Sequence, residues 1–183
     1  RQVDGWSQRL EKAKTWNVSS FKKVRRWLDE NCPPDVKACM THNDWRMDNM
    51  VYSRENNPQV IGVLDWELST VGDPLVDLGN ALTYWVEAKD DFFMKMLQQQ
   101  PTTIAGMMTR NEIRDYYLEK TGLKTDNWTF YEVFGLFRLA VIAQQIYYRY
   151  HHKQSRNPAF KRFWILVNYL DWRCKKLIRK AGR

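Results

Sequence analysis

The sequence has few cysteines, and its glycines are never clustered. The three cysteines, Cys32, Cys39 and Cys174, form no Cys-x-x-Cys pair, and their odd number argues against a disulfide scaffold. We therefore expect an intracellular protein in a reducing compartment, with cytoplasm and organelle matrix both open. All eight glycines stand apart from one another, so the chain contains no glycine-rich loop of the kind that surrounds phosphate groups.

Long apolar runs are also absent. The longest mostly apolar stretch, residues 133–143, is interrupted by Arg138 and is far shorter than the roughly 20 residues of a spanning helix. We therefore expect no membrane span. The chain opens at Arg1 without a methionine or an apolar signal core, so we expect an excised or processed piece of a longer protein.

Aromatic and basic residues are abundant. Aromatics make up 14% of the chain and hydrophobic residues 44%, which indicates a packed core. The net charge of +8 attracts anions, whether nucleotide phosphates, an acidic substrate or nucleic acid. The basic residues interleave with aromatics in helical segments and match no nucleic-acid recognition motif, so we expect no nucleic-acid partner. A steep salt dependence of binding would favour that alternative.

Hydrophobic periodicity predicts a mostly helical α+β fold, forming a single domain over residues 1–183. Helices are predicted at 3–15, 19–31, 74–86, 111–120, 130–151 and 158–178. Short strands are predicted at 38–41, 49–53 and 59–64, and turn residues at 54–58 predict that the last two form a hairpin. We expect Ser19 or Ser20 to cap the second helix, and Asp73 to cap the helix that starts at Pro74.

Two loops among the predicted strands concentrate the polar chemistry. Asp44 and Asn49 have the Asp-x4-Asn spacing of phosphoryl-transfer enzymes, where the Asp accepts the proton of the attacking hydroxyl and the Asn holds magnesium. Asp65 follows the apolar run 60–64, at the position of the second metal carboxylate in such sites. Magnesium prefers hard oxygen ligands, of which proteins supply only a few. The pattern therefore predicts Mg²⁺ on Asn49 and Asp65, with Asp44 at the substrate hydroxyl.

Three motifs in this order resemble the aminoglycoside phosphotransferase and choline kinase family. They are His42-x-Asp44-x4-Asn49, Leu64-Asp65-Trp66-Glu67 and Gly72-Asp73-Pro74-Leu75-Val76-Asp77-Leu78. The stretch 128–149 is similar to the branch fused to acyl-CoA dehydrogenase-like domains, and the resemblance covers residues 4–171. It implies a protein-kinase-like fold, of which this chain is the C-terminal lobe with a small β-hairpin carrying the catalytic loop. It also implies Asp44 as catalytic base, with Asn49 and Asp65 as magnesium ligands.

The resemblance further implies a small-molecule kinase that transfers the γ-phosphoryl group of ATP to a hydroxyl. The branch suggests a hydroxyacyl thioester of coenzyme A as acceptor, and the basic character of the chain agrees with an anionic or neutral acceptor. The family's smaller, nucleotide-clamping lobe is missing from the sequence. We therefore assign no nucleotide-binding residue and expect the 183 residues alone to be inactive. The face left exposed by that lobe is expected to favour self-association.

One departure from the family leaves an alternative open. Asn43 stands where the family usually has glycine, although asparagine tolerates the positive φ that such a position requires. The alternative is a pseudokinase or binding module of the same fold without turnover. We expect His42 and Asp77 to brace the catalytic loop rather than to act in catalysis. A metal hydrolase built on His42, Asp44 and Asp65 would lack enough histidines.

Overall fold

The computed structural model describes residues 2–182, which group into two compact units. The first unit combines the residues up to Pro33 with those from Asn127 onward, and the second spans Pro34–Asp126. The first unit is helical, and the second contains all the strands of the described chain. The predicted α+β, mostly helical class is therefore confirmed, whereas the single domain over 1–183 stays a prediction.

Residues 2–182 form seven α-helices and four short strands. The helices are α1 Gln2–Lys12, α2 Lys22–Glu30, α3 Pro74–Thr83, α4 Phe92–Met96, α5 Arg110–Thr121, α6 Trp128–His151 and α7 Phe163–Ala181. The strands are β1 Cys39–Thr41, β2 Met50–Tyr52, β3 Val60–Val63 and β4 Thr70–Gly72. Three 3₁₀ turns, Met47–Asn49, Trp66–Leu68 and Pro158–Arg162, complete the described elements. No helix of residues 2–182 is long and apolar enough to cross a membrane.

The first unit is built around α6, whose side chains are buried along most of its length. The side chain of Gln144 is fully buried on this helix, and its Nε2 donates to the carbonyl of Ala13 at 2.6 Å and to Thr15 Oγ1 at 3.1 Å. A buried amide that found no acceptor would cost about 1 to 3 kcal/mol. The chain that leaves α1 is therefore fastened to α6.

The start of α2 differs from the prediction. The helix begins at Lys22 without a side-chain cap, because Phe21 occupies the preceding position in a left-handed conformation with φ 52°. Phe21 is fully buried, and its ring centroid lies 5.6 Å from that of Phe137. Ser19 Oγ instead donates to Asp171 Oδ2 at 2.9 Å. The prediction that Ser19 or Ser20 caps α2 is wrong, since burial of an aromatic ring determines how the chain enters the helix.

The strands of the second unit pair as one hairpin nested inside another. Strands β2 and β3 are antiparallel, with Met50 opposite Val63, which confirms the predicted hairpin. Strands β1 and β4 are also antiparallel, with Cys39 opposite Gly72. The sequence did not predict β4, a three-residue strand. The segment between β1 and β2 therefore leads from the outer strand pair to the inner one. The segment between β3 and β4 leads back from the inner pair to the outer one.

Helix α3 follows β4 directly and starts as the sequence predicts. Asp73 Oδ1 accepts a hydrogen bond from the backbone N–H of Leu75 at 2.8 Å, and Pro74 occupies the first helical position. The helix ends at Thr83, three residues earlier than predicted. Asp77 lies in its first turn, one turn after the cap. This placement brings a carboxylate back to the loop that follows β1.

Candidate active site

The two loops that carry the predicted site residues are joined at Leu64. Its backbone N–H donates to the carbonyl of Asn49 at 2.8 Å, which extends the β2–β3 ladder by one pair. Its carbonyl accepts from His42 Nε2 at 2.7 Å. Both backbone groups of Leu64 are thus held by residues 42–49, and the next residue is Asp65. The structure therefore brings the Asp44–Asn49 loop and Asp65 to the same place.

Asp77, in the first turn of α3, holds the loop of residues 42–49 through its carboxylate. Its Oδ2 accepts from the backbone N–H of His42 at 2.7 Å, and its Oδ1 accepts from that of Asn43 at 2.8 Å. His42 Nδ1 in turn accepts from the backbone N–H of Asp44 at 3.2 Å, so the proton of the imidazole lies on Nε2, which donates to Leu64. The predicted bracing roles of His42 and Asp77 are confirmed.

Asp44 and Asn49 contact each other directly. Asn49 Nδ2 donates to the carbonyl of Asp44 at 2.8 Å and to its Oδ2 at 3.2 Å. Since both partners are acceptors, the amide nitrogen must face Asp44. The Oδ1 of Asn49 makes no hydrogen bond to any residue in 2–182 and is left for another ligand. The Asp44 side chain is half-buried, so an incoming hydroxyl can reach its carboxylate.

Asp65 is one of four residues other than glycine within 2–182 that have a positive φ. Its backbone is left-handed, with φ 65° and ψ 52°, at the entrance to the turn Trp66–Leu68. This conformation costs a residue other than glycine on the order of 1 to 2 kcal/mol, and such strain concentrates at functional sites. Its carboxylate is exposed and makes no hydrogen bond to the described residues. With Asn49 Oδ1 it offers the hard oxygens that fit Mg²⁺.

The loop of residues 42–49 contains a second carboxylate, that of Asp48, which is hydrogen-bonded to Arg46. Arg46 Nε donates to Asp48 Oδ1 at 2.9 Å, and the Arg46 guanidinium lowers the pKa of Asp48 mainly through this hydrogen bonding. The Asp48 side chain is 56% exposed. The adjacent backbone N–H of Met47 donates to Gln100 Oε1 at 2.8 Å. Sequence reasoning missed Gln100, which lies 53 residues along the chain and belongs to no motif.

Asn43 links the two loops through its side chain. It has a left-handed backbone with φ 64°, so the expectation that asparagine adopts the positive φ here is confirmed. Its Nδ2 lies 2.9 Å from the carbonyl of Leu68, 3.0 Å from Thr70 Oγ1 and 3.2 Å from Thr41 Oγ1. Glycine at this position could not make these contacts. The residue that departs from the family pattern therefore ties β1 to the segment that enters β4.

Two substitutions of Asn43 separate its backbone role from its side-chain role. Asn43→Gly keeps the left-handed backbone and loses the amide, so we expect unfolding to require about 1 kcal/mol less free energy. Asn43→Ala loses the amide and must also adopt a left-handed backbone, so a further loss of about 1 kcal/mol is expected. Urea unfolding of the three proteins measures both steps. An alanine variant as stable as the glycine variant would show that the left-handed backbone relaxes on substitution.

Comparison with known proteins agrees with this geometry. Residues 1–111 match the model of the phosphotransferase enzyme family. A solved structure from Ralstonia eutropha, assigned as an aminoglycoside phosphotransferase, superimposes with a TM-score of 0.78 and 27% identity, covering 96% of this chain and 55% of the other. The described residues thus have the protein-kinase-like fold that the motifs implied.

Two curated relatives belong to the branch that the late motifs suggested. Mouse acyl-CoA dehydrogenase family member 10 is 33% identical over 151 residues, and human member 11 is 31% identical over 154 residues. These matches cover 81% and 82% of this chain, but only 14% and 19% of the relatives, so the chain spans a small part of their length. The family model matches more than half of the residues of this chain, and the chain therefore belongs to the phosphotransferase enzyme family.

Proposed function

We propose that this chain carries the phosphoryl-transfer site of an ATP-dependent small-molecule kinase. Its reaction is the in-line transfer of the γ-phosphoryl group of ATP to a hydroxyl of the acceptor. The observation that supports this most is the hydrogen-bond network from Asp77 through His42 to Leu64, which holds the Asp44–Asn49 loop beside Asp65. Positioning and electrostatics supply most of the rate in this reaction class, and this network fixes position.

Asp44 is the proposed general base. Its Oδ2 is oriented by the Asn49 amide and its backbone N–H by the His42 ring, so the carboxylate is held before an acceptor arrives. A base in hydrogen-bond reach of the acceptor hydroxyl orients it and accepts its proton as the oxygen attacks the phosphorus. Asp48 cannot take this role, because Arg46 already occupies its two oxygens.

Asn49 and Asp65 are the proposed magnesium ligands. Asn49 would contribute Oδ1, and Asp65 its carboxylate. Magnesium, when bound, neutralises the charge of the phosphate oxygens and completes its shell with them and with water. No group of three His, Cys, Asp or Glu side chains suited to a metal occurs among residues 2–182. Asn49 and Asp65 supply two oxygen ligands, and magnesium in such sites takes the rest of its shell from phosphate and water.

For the acceptor we propose a hydroxyacyl thioester of coenzyme A. Two observations support it: the relatives named as acyl-CoA dehydrogenase family members, and the net charge of +8, which favours an anionic acceptor over a cationic one. Phosphorylation of hydroxyacyl-CoAs, sugars, choline and aminoglycosides by the full-length protein, with Mg²⁺ and ATP, tests the proposal. We expect kcat/KM to be highest for a hydroxyacyl-CoA. A clear preference for choline or an aminoglycoside would contradict it.

The same assay addresses the alternative of a binding module without turnover. Such a protein would bind ATP and Mg²⁺ yet phosphorylate none of the four acceptor classes. The departure at Asn43 motivated this alternative, but Asn43 adopts the required backbone and adds contacts to it. The 183 residues alone are proposed to turn over poorly. The test compares kcat of the 183-residue chain with kcat of the full-length protein in the same assay.

A further inference from the structure

The first unit contains a cleft whose lining includes none of Asp44, Asn49 and Asp65. It has a volume of about 840 Å³ and lies where α6 ends and α7 begins. Its lining includes four cationic side chains and three Tyr or Trp side chains. The four cations and two of these aromatic residues define what we call the basic cleft: Lys153, Arg156, Lys161, Arg162, Tyr150 and Trp164. Clefts of roughly 300 to 1,000 Å³ are the usual size for small-molecule ligands.

The charge of the basic cleft is not neutralised by its surroundings. No acid occurs in the sequence between Glu132 and Asp171, and no acid lines the cleft. None of its four cations forms an ion pair with the described residues, whereas Arg25 and Lys175 of the same unit pair with acids. Four cations around one concavity create a potential that concentrates anions. An anionic ligand with several charges fits such a site.

The backbone that carries two of the cationic segments of the cleft is defined by hydrogen-bonded turns. Lys153 has a left-handed backbone with φ 59° just after α6, at a position where glycine is the usual choice. The turn is closed by its N–H to the carbonyl of Tyr150 at 3.0 Å. On the far side, Asn157 Oδ1 accepts from the N–H of Ala159 at 3.0 Å and caps the turn that carries Lys161 and Arg162.

The aromatic side chains add a second kind of contact. Trp164 is 37% exposed, and Tyr150 is half-buried in the same lining. Exposed aromatic faces stack on the planar rings of nucleobases. Arginine also binds phosphate through paired donors, which Arg156 and Arg162 can supply. The cleft thus offers both a planar apolar contact and several phosphate contacts.

We propose that the basic cleft binds a nucleotide with two or more phosphate groups. The four cations contact the phosphates, and Trp164 and Tyr150 contact the base. Two sources share this chemistry: a free nucleoside polyphosphate, and the 3′-phosphoadenosine diphosphate end of coenzyme A. Neither source requires Asp44, Asn49 or Asp65. Binding of either source is measured without phosphoryl transfer. The coenzyme A source deepens the proposed function, because the proposed acceptor is a thioester of coenzyme A.

Calorimetric titration in the absence of Mg²⁺ tests the proposal on the 183-residue chain. The probes are coenzyme A, adenosine 3′,5′-bisphosphate, ADP and unphosphorylated adenosine. We expect the phosphorylated probes to bind at least tenfold more tightly than adenosine, with an affinity that falls as salt rises. Tighter binding of coenzyme A and the bisphosphate than of ADP identifies coenzyme A as the source, and the reverse order identifies a free nucleotide.

A matched pair of charge reversals locates the site. Lys161→Glu with Arg162→Glu is expected to weaken binding at least tenfold, whereas Arg179→Glu with Lys180→Glu, the same charge change outside the cleft, is expected to leave it within about twofold. Circular dichroism checks folding, and Lys161→Gln with Arg162→Gln replaces the first pair if it unfolds. Equal losses in both pairs would overturn the proposal. So would the absence of binding of all three phosphorylated probes at millimolar concentration.

Discussion

Asp44→Ala is expected to lower kcat for phosphoryl transfer by about a thousandfold in the full-length protein, within the 10² to 10⁴ typical of a general base. ATP binding should change little, because the carboxylate serves the acceptor hydroxyl rather than the nucleotide. The smaller side chain also leaves the Asn49 amide without one of its two acceptors, while the backbone carbonyl still accepts at 2.8 Å. Steady-state kinetics and a nucleotide titration measure the two effects separately.

Asp48→Ala is the matched control for Asp44. It removes a carboxylate from the same loop, but one that is exposed and paired with Arg46. We expect its kcat to stay within a few-fold of the unmodified protein. Asp44→Asn keeps the shape and removes the base, so it should be nearly as slow as the alanine variant. Near-normal turnover by either Asp44 variant would show that the base is another residue.

Asp77→Ala is expected to reduce the free energy of unfolding by about 2 to 4 kcal/mol. The carboxylate accepts two backbone N–H groups, and hydrogen bonds to a charged group contribute about 1.5 to 3 kcal/mol each, partly recovered when water reaches the freed donors. The effect on catalysis should fall on kcat rather than KM, since Asp77 holds the loop of Asp44 without touching substrate. Urea unfolding and steady-state kinetics provide the two measurements.

The role of Asp77 in positioning has its own controls. Asp77→Asn retains one acceptor oxygen, so it should recover part of both stability and kcat. Asp73→Ala removes the neighbouring cap of α3 and should cost about 1 kcal/mol of stability, with a much smaller loss of kcat. A kcat loss for Asp73→Ala equal to that for Asp77→Ala would mean that general destabilisation, rather than loop position, explains both.

The sequence predicted the residues of the candidate site and two of the residues that brace it, His42 and Asp77, but it did not predict Gln100 or strand β4. Asp44, Asn49 and Asp65 lie within 22 consecutive residues, and their spacing follows from short strands and turns that local chemistry determines. Gln100 reaches Met47 from 53 residues away, and no local pattern marks such a contact. Strand β4 and helix α4 are too short, with three and five residues, for hydrophobic periodicity to show them.

The start of α2 shows a local sequence preference that tertiary packing overrides. Ser19 is a good capping residue by local preference, yet the helix begins three residues later because Phe21 is buried against Phe137. Tertiary packing overrides a capping preference of about 1 kcal/mol when a whole aromatic ring can be removed from water. Asp73, with no competing aromatic beside it, caps α3 as its sequence predicts.

The nested hairpin has a consequence for how the site forms during folding. Pairing of β2 with β3 needs closure of only the short turn between them, and this brings Asn49 to Leu64. Once β2 and β3 have paired, the effective loop between β1 and β4 is much shorter than the number of residues between them. The entropic cost of bringing β1 and β4 together is therefore lower. The segment that carries the candidate site can therefore close in two steps, first the inner hairpin and then the outer strand pair. A substitution that weakens the β2–β3 turn should slow folding of the whole site, whereas one in β4 should mainly speed its unfolding.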